Sequence, residues 1–306
     1  MIDQLIDRIV ELGNPTVVGL DPTYSMMPAY IKEENFQKYG KNPQGVGGMF
    51  RQFNKKIIDS IKDLVPAVKP QIAMYEQYGL EGISAYLDTV DYAKKQGLIV
   101  IGDIKRGDIA STAAAYAGHI AGVDIEGIHF DPWQEDFITV NPYLGTDGIQ
   151  PFIEPCNVFD KGLFILVKTS NPSSGELQDL KVEGENKTFY EQTADLVSQW
   201  GRGAMGSKGY SKIGAVVGAT HREQGISLRS RMKNTFFLVP GYGAQGGKGA
   251  DLKGFFDKDG MGCIVNSSRG ITAAYTKNGK YSEREFGEAA REAVLAMKKD
   301  LQDAWR

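Results

Sequence analysis

Short apolar runs punctuate the chain at Thr16–Leu20, Leu64–Val68, Leu98–Gly102, Phe137–Val140, Leu163–Val167, Ile213–Val217, Phe236–Val239 and Cys263–Val265. Each is rich in Val, Ile, Leu or Phe and too short for a full helix, and many end in a turn bearing Gly, Pro or Asp. Runs that are apolar throughout, with no polar alternation, suit parallel strands buried on both faces. Most gaps between them hold roughly 20 to 50 residues, room for a crossover helix and its loops. Leu80–Gln96, Ser111–Gly122, Thr188–Trp200 and Glu283–Trp305 read as helices. At the N-terminus Ile2, Leu5, Ile6, Ile9, Val10 and Leu12 share a helical face. Eight strand–helix units predict an α/β fold, a closed (β/α)8 TIM barrel forming a single domain over residues 1–306. An open, doubly wound sheet is the alternative this pattern leaves. Pro22–Gly48 and Pro172–Lys212, rich in Gly, Ser, Pro and charge, exceed what a crossover needs and read as insertions or mobile loops after strands 1 and 5.

Composition narrows the class without choosing a chemistry. With 42% hydrophobic and 24% charged residues, a sizeable core is expected and disorder is not. A net charge of −3 gives no electrostatic reason for a nucleic-acid partner, although local charge placement still allows a small anionic ligand. The two cysteines, Cys156 and Cys263, make no disulfide framework and read as thiols of a reduced, cytoplasmic protein. The acids of the first helix argue against a signal peptide, and no apolar run approaches the roughly 18 residues of a membrane span.

The candidate chemistry sits at the ends of the runs. The third continues into Asp103-Ile-Lys105-Arg-Gly-Asp108. Residues two apart on a strand share a face, so Asp103 and Lys105 project the same way, and the C-terminal strand ends of a barrel are where its active sites lie. Alone, the pattern reads equally well as a surface salt-bridge cluster. The second run leads to Lys69-Pro70, by itself more often a snorkelling lysine, and the first to Asp21-Pro22, by itself as often a plain turn. After the seventh run comes Pro240-Gly-Tyr-Gly-Ala-Gln245-Gly-Gly. Its G-x-G-x-x-G spacing lies far from the first strand, where a dinucleotide fingerprint belongs, and Gly249 follows Lys248 where a P-loop requires Ser or Thr. What remains is a Gly-rich loop able to offer backbone N–H groups to an anion. The eighth run ends Asn266-Ser-Ser-Arg269, and an arginine there can grip a phosphate with two donors. Loops after strands 7 and 8 are frequent phosphate sites in barrels. The histidines, His119, His129 and His221, match no metal-ligand spacing, so no metal ligands are assigned.

Taken together, Asp103-x-Lys105-x-x-Asp108-Ile109-x-x-Thr112, preceded by Lys69, resembles the signature of the orotidine 5′-phosphate decarboxylase family. Leu20-Asp21-Pro22, Lys168-Thr-Ser170-Asn-Pro172, Val239-Pro-Gly-Tyr-Gly-Ala-Gln245-Gly-Gly and Ser268-Arg269-Gly270 match its remaining strand ends in order, and the length is that of the longer bacterial branch. The resemblance implies a cofactor-free conversion of orotidine 5′-monophosphate to UMP and CO2 in pyrimidine biosynthesis. It further implies a Lys69–Asp103–Lys105–Asp108 charge array in which Lys105 protonates C6 and Asp103 stands against the departing carboxylate. Asp21 and Lys69 would hold the ribose hydroxyls and Ser170 the pyrimidine. Gln245 and Arg269, with Pro240 and backbone near Gly243 and Gly246, would form the phosphate end. Asp108, Ile109 and Thr112 would reach into the site of the other subunit of a homodimer.

Two rivals share the barrel. Mg2+-dependent phosphosugar decarboxylases and synthases resemble the same strand but carry an additional acid two residues before the first Asp, where this chain has Ile101. A non-catalytic nucleotide-binding barrel would be expected to show lesions in the array, and all four charges are present.

Overall fold

The computed structural model describes residues 1–243, 246–277 and 279–305. The first three apolar runs become β1 (Thr16–Leu20), β2 (Ala67–Pro70) and β3 (Ile99–Arg106). An antiparallel ribbon of β4 (Val123–Ile125) and β5 (Ile128–Phe130) follows. The remaining runs become β6 (Phe137–Val140), β7 (Gly162–Lys168), β8 (Ser211–Val217), β9 (Thr235–Val239) and β10 (Cys263–Ser267). Omitting the ribbon, the strands close into a parallel barrel in the order β1, β2, β3, β6, β7, β8, β9, β10 and back to β1. The predicted (β/α)8 barrel is therefore observed, and the open sheet is not.

Strand parity divides the core. Val17, Ile99, Phe137 and Phe164 belong to one buried cluster inside the barrel, where all eight strands meet. Their neighbours Val18, Val100, Ile138 and Ile165 belong to a second cluster, between the strands and the surrounding helices. Both faces of each strand are thus apolar, which is why the runs lack alternation. Ile2, Leu5, Ile6 and Ile9 of the first helix, Ile2–Leu12, join the inner cluster and close the barrel at the end opposite the strands' C-termini. Val10, assigned above to that buried face, is instead 62% exposed. Gly13, at φ 55°, ends the helix in the left-handed conformation that glycine adopts without a Cβ penalty.

The largest departure from expectation is Pro22–Gly48. It holds a helix at Ala29–Tyr39 and the first turns of another at Pro43–Ile61. Asn42 caps the latter, its side-chain oxygen accepting the Gly45 N–H at 3.0 Å, with Pro43 in the first turn. The glycines that suggest a loop are packing glycines: a Cβ on Gly45 would stand 2.5 Å from the Gly40 carbonyl, and one on Gly47 2.8 Å from that of Glu81. Leu64 and Val65, expected in the second strand, hydrogen-bond back to Ile61 at the end of this helix, so β2 starts later. Pro172–Lys212 is also only partly irregular: Phe189–Trp200 is a helix, opened by a capping box between Thr188 and Glu191. Among the described residues, no helix is long and apolar enough to cross a membrane.

Candidate active site

The inward parity that fills the barrel with Ala67, Ile101, Phe137, Leu238 and Ile264 continues toward the strands' C-terminal ends. There it places Lys69, Asp103, Thr139, Pro240 and Asn266 around a cavity of about 490 Å3. Asp21 beyond β1, Lys105 on β3, Leu166 on β7, Thr169 to Asn171 beyond it, Val216 on β8, Leu238 on β9, Gly241 and Tyr242 beyond it, and Ser268 and Arg269 beyond β10 complete the wall. All eight barrel strands contribute.

Asp103 is the centre of this arrangement. It is 6% exposed and each of its oxygens has two partners. Oδ2 accepts from Lys69 Nζ at 2.6 Å and Gln71 Nε2 at 2.9 Å. Oδ1 accepts from Lys105 Nζ and from the Thr139 hydroxyl, the latter at 2.9 Å. Burial alone would raise the Asp103 carboxyl, but the Lys69 and Lys105 ammoniums outweigh it and hold the group well below the ordinary carboxylate range. Lys69 is buried as well. Desolvation works against its charge, and Asp103 and Asp21 overcome that and raise its pKa. Asp21 has a buried Oδ1 with no hydrogen-bond partner among the described residues, and so does Asn266, 7% exposed and in the same cavity. Unpaired buried acceptors are costly, and in a cavity they mark places where a ligand donor belongs.

Lys105 departs from the rest of β3. Its φ is +46°, in the left-handed region that side-chain-bearing residues seldom occupy, and the pairing of β3 with β6 shifts between Gly102 and Arg106. This turn swings the Lys105 ammonium back onto Asp103, two residues earlier. The pair is therefore on one side, as the two-residue spacing predicts, although the strand is not regular through it.

Among the remaining predicted residues, Ser170, Pro240 and Arg269 line the cavity, and no carboxylate pairs with Arg269 among the described residues. A bulge between β7 and β8 turns Lys168 away from this inner face, and its ammonium meets Asp179 at 2.7 Å beside the Tyr190 ring. Gly243 and Gly246, at φ 73° and 97°, turn the loop after β9, where the Gly243 N–H donates to the Gly247 carbonyl at 2.8 Å. Gln245 lies outside the described residues. Asp108, Ile109 and Thr112 do not line this chain's cavity. The Asp108 carboxylate accepts its neighbour Ile109's N–H at 2.8 Å, Ile109 is 52% exposed, and Thr112 is exposed on the helix Ala110–Ala121. One chain thus brings together three of the four charges predicted for the array, Lys69, Asp103 and Lys105.

Sequence reasoning missed Gln71, Thr139 and Asn266. Strand parity would have found the last two, since each lies two residues beyond an inward apolar residue, Phe137 or Ile264. The histidines lie apart: His119 contacts buried Glu135, His129 contacts Asp124, and His221 meets the Ser174 hydroxyl. Among the described residues, no three His, Cys, Asp or Glu side chains are grouped to hold a metal ion.

Together these features define a (β/α)8 barrel with a lysine–aspartate–lysine array and an uncommitted arginine at the C-terminal mouth, a site for an anionic substrate. Residues 15–283 match the model of the orotidine 5′-phosphate decarboxylase / HUMPS family, and the chain belongs to that family. It is 43% identical over 303 residues to the orotidine 5′-phosphate decarboxylase of Petrotoga mobilis, covering 99% of this chain and 98% of that one. Among solved structures it resembles Leishmania donovani OMP decarboxylase, with a TM-score of 0.70 and 29% identity over 97% of this chain and 98% of that one. It also resembles Leishmania donovani UMP synthase, with a TM-score of 0.74 and 30% identity, and there it spans 97% of itself but 56% of the longer chain.

Proposed function

We propose that this protein decarboxylates orotidine 5′-monophosphate to UMP and CO2, a step of pyrimidine nucleotide synthesis in the cytoplasm. The observation that carries the reading is the buried Asp103 carboxylate clamped between the Lys69 and Lys105 ammoniums in a cavity that also holds Arg269.

Breaking the C6–carboxylate bond leaves an electron pair in the plane of the pyrimidine, where the ring π-system cannot delocalise it. A cation fixed beside C6 stabilises that pair, and a proton from the same group quenches it. Lys105 fills both roles in this reading: its N–H proton passes to C6 and the amine regains one from solvent. Asp103, anionic throughout, orients Lys105 and stands against the substrate carboxylate, while Leu166, Val216 and Leu238 supply an apolar wall. Lys69 and Asp21, whose buried Oδ1 has no hydrogen-bond partner among the described residues, suit the ribose hydroxyls, and Ser170 the pyrimidine edge. Arg269, with Gln245 and the loop of Pro240, Gly243 and Gly246, suits the 5′-phosphate. No metal or organic cofactor takes part in this scheme.

The active form in this reading is a homodimer. Asp108, Ile109 and Thr112 lie outside this chain's own cavity, and Ile109 lines an apolar groove with Ala114, Pro151, Val158 and Phe159. A second copy covering that face would carry Asp108 to the neighbouring site.

The test is the ultraviolet absorbance of orotidine 5′-monophosphate with purified protein, with and without EDTA. Loss of the orotate band, with UMP as product and no EDTA effect, supports the proposal. An inert protein refutes the activity, and an EDTA-sensitive reaction refutes the cofactor-free scheme.

A further inference from the structure

Lys105 has a backbone conformation that a side-chain-bearing residue seldom adopts, and its N–H is taken by a single hydroxyl. With φ at +46°, the Lys105 N–H leaves the β3–β6 ladder, whose register breaks at this point. It donates instead to Thr139 Oγ1 at 3.0 Å. The same oxygen's proton goes to Asp103 Oδ1 at 2.9 Å. The direction of this relay is forced. A backbone N–H can only donate, and the Asp103 carboxylate, held ionised by its lysines, can only accept. Only a group that accepts and donates at once fits between them, and the Thr139 hydroxyl, 1% exposed at the cavity wall, is that group.

Asp103 Oδ1 is also the atom that Lys105 Nζ contacts. Thr139 therefore ties the lysine's backbone and the carboxylate that aims its ammonium to one point on β6. Without the hydroxyl, the Lys105 N–H is orphaned, and the backbone gains by relaxing out of the left-handed region, which re-aims the side chain. We infer that Thr139 is a positioning residue for the decarboxylation, fixing the Asp103–Lys105 pair in its reactive geometry without binding the nucleotide. This inference rests on the functional reading above and adds to it a residue whose alignment role no spacing in the sequence indicated.

Thr139→Val keeps the shape and removes both hydrogen bonds, Thr139→Ala removes them with less bulk, and Thr139→Ser keeps the hydroxyl. Misplacing a reacting group by about 1 Å costs on the order of 10²-fold in rate, so Val and Ala are expected to lose about that much kcat. Affinity for UMP should stay within about twofold in both, because the Thr139 hydroxyl is already committed to Lys105 and Asp103, and Ser should restore kcat to within about threefold of the parent. All three are compared by orotidine 5′-monophosphate turnover and by UMP titration. Parental kcat in folded Val or Ala variants overturns the inference, as does a loss that Ser does not rescue or that is matched by lost UMP affinity. If Val and Ala fail to fold, low kcat in Ser with intact UMP binding likewise overturns it, and parental kcat in Ser supports it. An inactive parent protein overturns the functional reading and this inference together, whereas an active parent with an indifferent Thr139 overturns this inference alone.

Discussion

Gly102 lies directly against the carboxylate of Glu135, so that a methyl group at this glycine would overlap all three carboxylate atoms. Glu135 cannot retreat. It is fully buried, accepts the Tyr86 hydroxyl on Oε1, and meets His119 Nδ1 at 2.8 Å on Oε2, with Trp133 stacked on the imidazole. The absence of a side chain at Gly102 lets this polar cluster pack behind the strand residue that precedes Asp103.

Gly102→Ala is accordingly expected to destabilise the protein by about 1–3 kcal/mol, the usual cost of overpacking a core. It should also lower kcat, because any shift of β3 moves Asp103. Guanidinium denaturation and turnover measured on one preparation check both. A variant with parental stability would mean that the barrel wall is softer at this point than the Glu135 cluster implies.

Asp103 gives a dependence on pH whose sign can be worked out. Burial pushes its carboxyl up, but Lys69 and Lys105 hold it well below the usual range. A depressed acid contributes stability in full above its unfolded value, about 3.9, and loses it as the pH falls below that. Lys69, raised by Asp103 and Asp21 against its own desolvation, sets the opposite edge above about pH 10. Asp103→Asn leaves the buried Lys69 facing a neutral amide, which costs about 3 kcal/mol when one member of a buried pair is lost. Between pH 5 and pH 3 the difference in stability between parent and variant should shrink. Parallel curves across that interval would contradict the buried-pair assignment.

Arg269 differs in kind, being exposed and free of carboxylate partners among the described residues. Removing it strands no buried charge, so Arg269→Ala should change stability by no more than about 0.5 kcal/mol. If it grips the 5′-phosphate with charge-assisted bonds, its loss should lower kcat/KM for the nucleotide by about 10²-fold or more. Orotidine without phosphate separates the causes. The variant and the parent should turn over the nucleoside at equal, slow rates. A similar loss with both substrates would take Arg269 out of the phosphate site.

The strands and the Asp103–Lys105 pair were legible because parallel strands buried on both faces leave unbroken apolar runs, and charges stand out where such runs stop. Thr139 was not legible for a related reason: threonine favours strands anyway, so its hydroxyl carries no signal until parity and register are known. Gly45, Gly47 and Gly48 misled in the other direction. Glycine marks loops and close helix packing alike, and only the neighbours Gly40, Asn35 and Glu81 decide between them. Asp108, Ile109 and Thr112 were assigned by family resemblance alone, since no apolar run or spacing singles them out. None of the three lines the cavity of its own chain.

Because Asp108 does not line its own chain's cavity, the proposed shared site is testable without a structure of the assembly. Lys105→Ala removes the proposed proton donor from a protomer's own barrel, and Asp108→Asn removes the charge it would lend to its partner. Each variant alone should be nearly inactive. In a two-fold dimer that mixes freely, half of the molecules are hybrids. In each hybrid, one site draws Lys105 from the Asp108→Asn chain and Asp108 from the Lys105→Ala chain, and is intact. Equimolar mixing after reversible dissociation should therefore restore about one quarter of the parental activity, with parental KM at the surviving sites. If Asp108 served its own chain's site, every site in every hybrid would carry a lesion, and mixing would restore nothing.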